Sequence, residues 1–507
     1  FRLPKADEMW DDLSITDRSN DRAGRIARGK VYPYPRLLGF VRIVGILLAK
    51  AANGRTARAI DDALAALTDD GSAARAQIAK LCAAGWKRAG LALPLACAKL
   101  IFAINRNRPA ELAIRQSVKT VKADAAGALF SIDCSALTWA VIDSGIDADH
   151  PAFLRREKQP CGNPPRPSSR VRETYDFSYL RELLTTRDWT ALPQHVRTAL
   201  TLSETAEGDQ DLKRKWVEML SRIRRARLID WELLRPFLRV NHGPDYVKPV
   251  DPHGTHVAGI LAADWEREGD PMIGMCPTIN LIDIRVCRDG GASDEFVIMS
   301  ALQFIRHLNA NGERMAVHGV NMSLSLKHDP AVYACGRTPV CEEAERTVAA
   351  GVVVVAAAGN HGYRRILSEG SVPFDQYCPV SITDPGNAEN VITVGSTHRH
   401  EPHTYGVSYF SSRGPTGDGR IKPDLVAPGE KIFAPAPGEE AMRLDGTSMA
   451  APHVSGAAAM LMARHVELVG QPQRIKRILC DTATDLGRER YFQGRGLVDV
   501  LRAIQSV

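Results

Sequence analysis

What the sequence lacks narrows the field first. Aromatic residues make up 6% of the 507 residues, and no apolar run is long enough to cross a bilayer. The longest, "AGLALPLACAKLIFAI" from Ala89 to Ile104, contains Pro94 and Lys99, whereas a spanning helix needs about 20 apolar residues. No transmembrane segment is expected. Neither sign of charge dominates: 65 Lys and Arg face 59 Asp and Glu, a net +6, too weak over this length to point to nucleic acid. The ten cysteines show neither zinc spacing nor a dense disulfide framework. Cys97 and Cys480 sit in apolar, helical-looking context and read as free thiols. Cys335 and Cys341 in "CGRTPVC" are spaced for a small disulfide loop but have no second metal-binding half. The redox compartment, and with it the location in the cell, stays open. What is present, 44% apolar and 24% charged residues, is the composition of an ordinary globular chain.

Residues 1–115 read as a helical N-terminal region: "TARAIDDALAALTDDG" places Ile60, Leu64 and Leu67 at helical spacing before Gly71. It carries no chemical motif and is a candidate regulatory segment or protein-docking region. From about Leu137 the pattern changes to short apolar runs, "LTWAVIDSG", "INLIDIRVC", "HGVNMSLS", "GVVVVAAAGN" and "NVITVGS", separated by helical stretches. Such runs predict buried parallel strands in an α/β, doubly wound, mostly parallel sheet, with the functional site beyond the carboxyl ends of the strands. A segment at 154–250 interrupts this alternation, with 19 Lys and Arg against 13 Asp and Glu. It is expected to be a basic helical insertion in a domain spanning 116–507. Trp216, Leu220 and Ile223 form an apolar stripe there, so its charges read first as a solvated helix face. Because the segment lies between Asp143 and His253, it is also expected to leave and return near the site's rim, as a lid would.

Three junctions hold an acid, a base and a nucleophile: Asp143 in "AVIDSGID", His253 in "DPHGTHVAG" and Ser448 in "DGTSMAAP". A serine hydroxyl is a poor nucleophile at neutral pH, so an imidazole must take its proton and return it to the leaving group. A carboxylate on the other ring nitrogen fixes the tautomer and balances the imidazolium. Asn360, directly after "VVVVAAAG", offers an amide for the oxygen that becomes negative, beside the backbone N–H of Ser448. Ser448 also sits where a helix-capping serine would, and its three partners favour the nucleophile. His253 and His256 have helical zinc spacing but no third ligand, so no metal site is expected.

Together "AVIDSGIDADHPAF", "HGTHVAGILA", "NMSLS", "AAAGN", "FSSRGPTGDGRIKPDLVAPG" and "GTSMAAPHVSGAAA" resemble the subtilisin-like serine proteases, in the matching order Asp, His, Asn, Ser. The resemblance implies an endopeptidase acting through an acyl-enzyme, with His256 and His453 structural. It implies a polypeptide substrate in extended form along Ser323, Leu324 and Ser325 and along Ala356, Ala357, Ala358 and Gly359. Two departures stand beside it: Ser325 occupies a position that is glycine in many members, and His361 follows Asn360. No cofactor is required. Calcium-binding relatives often carry Asp where Ala152 follows His150-Pro151, so the usual high-affinity calcium site is expected to be absent. The alternatives are a regulated protease whose N-terminal region senses a partner and a non-catalytic peptide-binding scaffold, and the complete set Asp143, His253, Asn360 and Ser448 argues against the scaffold.

Overall fold

The computed structural model describes residues 114–155, 168–200, 207–225, 227–244, 246–266, 271–288, 293–310, 314–366 and 374–507, with Gly291 and Gly312. The chain divides into compact units after Glu111, and the helical N-terminal region expected over 1–115 lies outside the described residues except at its end.

An eight-stranded sheet organises the second unit. Its strands are β1 (Thr138–Asp143), β2 (Val171–Asp176), β3 (Arg239–Val240), β4 (Asn280–Arg285), β5 (Gly319–Met322), β6 (Val353–Ala357), β7 (Ile392–His398) and β8 (Leu425–Glu430). They lie in the order β8-β7-β6-β5-β1-β4-β2-β3, all parallel except β3, which runs against β2. The apolar runs of β1, β4, β5 and β6 are covered on both faces, as parallel strands must be. From β1 the chain goes outward to β2 and β3, returns to β4, crosses β1 to β5 and continues to β8. The strand order therefore reverses around β1, and a crevice at such a reversal is where open α/β sheets bind ligands.

The period of two along β1 separates two cores. Trp139 and Val141 pack with the helices His253–Ala262 and Thr447–Arg464. Ala140 and Ile142 face the other way, onto the helices Glu295–Ala310 and Pro339–Ala349.

The 154–250 segment differs from the expectation of a helical insertion. It contributes β2 and β3 to the main sheet, and its helices cover the second core. Trp189, Trp216, Trp231 and Phe237 are buried in that core, and Trp216 Nε1 donates to the Leu183 carbonyl at 2.9 Å. Trp216 and Leu220 of helix Glu207–Arg224 point inward while Lys213, Arg214 and Arg224 are exposed. The charges thus lie on a solvated face, and the helices cover the face of β1 opposite the one packed by the His253 and Ser448 helices.

Candidate active site

β1 ends at Asp143, whose carboxyl group is buried at 3% exposure. His253 opens its helix from a separate part of the chain, and its Nδ1 lies 2.7 Å from Asp143 Oδ1. The approach is close because of glycine: a Cβ at Gly254 would come within 2.4 Å of the Gly145 carbonyl oxygen in the turn after β1. Backbone donors fix both partners. Ser144 N–H donates to Asp143 Oδ1 at 2.7 Å, and His253 N–H donates to Asp251 Oδ1 at 2.8 Å. Burial alone would lower the His253 pKa, but the Asp143 carboxylate, by charge and hydrogen bond, outweighs it, and Asp251 adds to the rise. The ring is therefore held above its ordinary value. Asp251 had no motif to announce it; its place two residues before His253, where an acidic side chain meets a free helix N–H, was the available signal.

Ser448 is the second residue of its helix and partly exposed. Its hydroxyl donates to the Ser323 carbonyl at 3.1 Å, and Ser323 Oγ donates back to the Ser448 carbonyl at 2.7 Å. Asn360 follows Gly359, whose φ of +101° and crowding by Thr383 and Ser412 demand glycine. Asn360 Oδ1 accepts from Thr447 N–H at 2.9 Å and from Thr447 Oγ1 at 3.0 Å. A backbone N–H can only donate, so this contact assigns the amide oxygen and leaves Nδ2 as the outward donor. Gly446 keeps that side clear, since a Cβ there would lie 3.3 Å from Asn360 Nδ2.

The two segments expected to bind substrate differ in what they offer. Among the described residues no hydrogen bond engages the backbone of Leu324 or Ser325, just before Leu326 bridges to Asp384. This is an open edge beside Ser448. Ala356 and Ala357 are paired within the sheet, Ala358 bonds Val394 and Thr383, and Gly359 bonds Thr447 and Ser412. Ala356–Gly359 are thus a buried wall and not a second free edge.

His256 and His453 belong to the packing. His256 Nε2 lies 3.1 Å from the carbonyls of both Ile432 and Met442, and His453 Nδ1 lies 2.9 Å from the Met449 carbonyl. Burial pushes each ring down to about 4, so both are neutral near pH 7. Cys287, two residues past β4, is pushed up to about 12 by burial and by the Asp143 and Asp251 carboxylates, so it stays a neutral thiol near pH 7. At Ala152 the buried backbone N–H donates to His150 Nδ1 at 3.0 Å. Among the described residues no group of three or more His, Cys, Asp or Glu side chains is arranged to hold a metal ion, and no helix is long and apolar enough to cross a membrane.

Residues 135–497 match the model of the peptidase S8, or subtilase, family. Subtilisin DY of Bacillus licheniformis is 32% identical over 263 residues, which is 52% of this chain and 81% of that protein. Serine protease AprX of Bacillus subtilis is 30% identical over 249 residues, 45% of this chain and 51% of that one. A solved structure titled "Structure of the Clostridium Perfringens CspB protease" covers 77% of this chain and 98% of its own, with a TM-score of 0.53 and 18% identity. At that identity the likeness concerns the fold alone.

Proposed function

Because the chain belongs to the subtilase family and is a serine-type endopeptidase, we propose that Ser448 attacks the scissile carbonyl, His253 takes its proton, Asp143 holds the imidazole and Asn360 stabilises the oxyanion. The observation that carries this reading is the 2.7 Å contact between His253 Nδ1 and the buried Asp143 carboxylate. It leaves Nε2 as the basic nitrogen, and it makes the imidazolium less costly as the proton arrives. In the resting state the Ser448 hydroxyl donates to Ser323, so it turns from that carbonyl toward His253 Nε2 when substrate binds. Active-site hydrogen bonds that tighten only on binding are common in free enzymes.

The peptide pairs with the open edge at Leu324–Ser325 in extended form and sets its carbonyl oxygen between Asn360 Nδ2 and the Ser448 N–H. Collapse of the tetrahedral intermediate expels the amine, protonated by His253, and leaves an ester on Ser448 that water then hydrolyses. No step asks for a cofactor.

A fluorophosphonate probe tests the nucleophile: wild type should be labelled and Ser448→Ala should not. Absence of labelling in the wild type, including after limited proteolysis of the N-terminal region, would favour a peptide-binding scaffold. Asn360→Ala should fold and lower kcat more than it raises KM. The loss expected is about 10²–10³-fold, a magnitude known for the equivalent donor in subtilisin itself, a relative of this chain. A change in KM alone would remove Asn360 from the oxyanion role.

A further inference from the structure

For His253 to meet Asp143, two pieces of chain far apart in sequence must be brought into register. One is the turn Ser144–Ala148 that leaves β1. The other is the stretch from Tyr246 to Asp251 that returns from the 154–250 segment into the His253 helix. One pair of side chains joins them, a buried arginine and a half-buried tyrosine. Arg285 is the register partner of Asp143 on β4 and is 7% exposed. Its Nε donates to Asp283 Oδ2 at 3.1 Å, one terminal nitrogen to the Val247 carbonyl at 3.0 Å and the other to the Tyr246 hydroxyl at 2.8 Å. The Tyr246 hydroxyl donates to the Ile146 carbonyl at 2.7 Å and accepts from the Ala148 N–H at 3.1 Å. That hydroxyl thus has one donor and two acceptor positions filled, all of them by the turn after β1 and the arginine.

Everything else at this junction leans on the same clasp. Gly145, at φ +122°, is so tightly held that an added Cβ would lie 3.0 Å from both Arg285 Nε and Pro249 Cβ. Lys248 reaches buried Asp147 at 3.4 Å, Asp147 N–H donates to Thr255 Oγ1 at 3.0 Å, and Gly254 N–H donates to Ser144 Oγ at 3.0 Å.

We propose that Tyr246 and Arg285 are positioning residues for the Asp143–His253 pair, acting through the two loops and never on the substrate. The inference rests on the catalytic reading of that pair given above. Its physical basis is that a 2.7 Å hydrogen bond tolerates little displacement, and that a shift of ~1 Å in a reacting constellation costs up to about 10²-fold in rate. The 154–250 segment then contributes to catalysis by delivering Tyr246.

Tyr246→Phe tests this with little risk to folding, because the ring stays while the hydroxyl that ties the loops is lost. Tyr179→Phe is the control: it removes a more deeply buried hydroxyl, bonded to the Phe237 carbonyl at 2.6 Å, within the second core and away from the two loops. Two readouts are compared, steady-state proteolysis and the titration of the His253 ring followed by NMR and assigned with His253→Gln. The charged or titratable groups that bear on that ring are Asp143, Asp251 and His256, and neither variant alters them.

The expected result for Tyr246→Phe is a fall in kcat of about tenfold with KM little changed, together with a His253 titration moved to lower pH. The direction follows because a looser Asp143 contact withdraws what holds the ring's proton. Arg285→Lys, which keeps charge opposite Asp283 but cannot fill all three contacts, should move both readouts the same way, whereas Tyr179→Phe should move neither. If Tyr246→Phe lowers thermal stability only, or lowers kcat with the ring titration unmoved, the positioning role is overturned. A shifted ring titration with undiminished proteolysis would uphold the positioning and sink the catalytic role of the Asp143–His253 pair.

Discussion

Thr447 Oγ1 accepts from the Gly359 N–H at 3.1 Å and donates to Asn360 Oδ1 at 3.0 Å, so a single hydroxyl joins the wall of the cleft to the amide beside Ser448. Thr447→Val keeps the shape and removes that link, while the Thr447 N–H still holds Asn360. The expected loss in kcat is about tenfold, below that of Asn360→Ala, with Thr447→Ser close to wild type; a loss in the Ser variant with the Val variant close to wild type would show that the methyl group, and not the hydroxyl, matters. Gly446→Ala sets a methyl carbon 3.3 Å from Asn360 Nδ2. It should fold and still lower kcat, and an undiminished kcat would mean that the space beside that amide is unused. The motifs in the sequence supplied Asn360 and the run from Gly446 to Ser448. They did not supply the direction of the amide, because that depends on a contact between residues 87 positions apart.

At the scale of elements, the strands whose residues are apolar on both faces were legible: β1, β4, β5 and β6 fall within the runs that stand out in the sequence, and β7 begins in one and outruns it by two residues. β2 and β3 were not. β2 reads "VRETYD", with Arg172 exposed and Glu173 partly exposed, and β3 is only the pair Arg239–Val240. Strands near a sheet edge keep one side in water, so their sequences lose the signal that betrays a central strand. The expectation that the 154–250 segment is a helical insertion fails for a related reason: its Trp and Phe side chains are sunk into the core beneath β1 and β4. Replacing residues 177–240 by a flexible linker should therefore expose that core and abolish cooperative unfolding, read by calorimetry and dye binding. A truncated protein that still melts cooperatively would show the segment to be dispensable. Exchanging exposed Lys213, Arg214, Arg224 and Arg225 for Gln should leave the ratio of rates on acidic and neutral peptides unchanged, and a shift in that ratio would restore a substrate-recruiting role.

For the whole molecule, acid should be the vulnerable direction. His256 and His453 are buried neutral, with pKa values pushed from the ordinary 6.5 to about 4. A histidine lowered in this way contributes stability that is fully present above 6.5 and is lost as pH falls through about 4, each on the order of 3 kcal/mol at most. Asp283 acts with the opposite sign: burial raises it from 3.8 to about 6, against the pull of Arg285, so its contribution is present below 3.8 and lost as pH rises through 6. With two histidines against one carboxyl group, the melting temperature should decline from pH 6.5 to pH 4, and a melting temperature that holds or rises over that range would refute the argument. A chelator, by contrast, should change the melting temperature little, since methyl-bearing Ala152 stands where calcium-binding relatives often have a carboxylate; a large drop would reveal a cation site.

The sequence by itself determined the class of chemistry and the central strands. A serine, a histidine, a carboxylate and an amide each sit at an apolar-to-polar junction, and the motifs around them are local, so their resemblance to a family's motifs is legible in the chain. Only the tertiary structure decided which groups are satisfied and by whom. It showed that Ala356–Gly359 spend their backbone inside the protein while Leu324 and Ser325 do not, that Thr447 aims Asn360, and that a tyrosine from the 154–250 segment closes the junction under Asp143 and His253. Such contacts join residues far apart in the chain, and no local pattern carries the free energy of a bond whose partner is elsewhere.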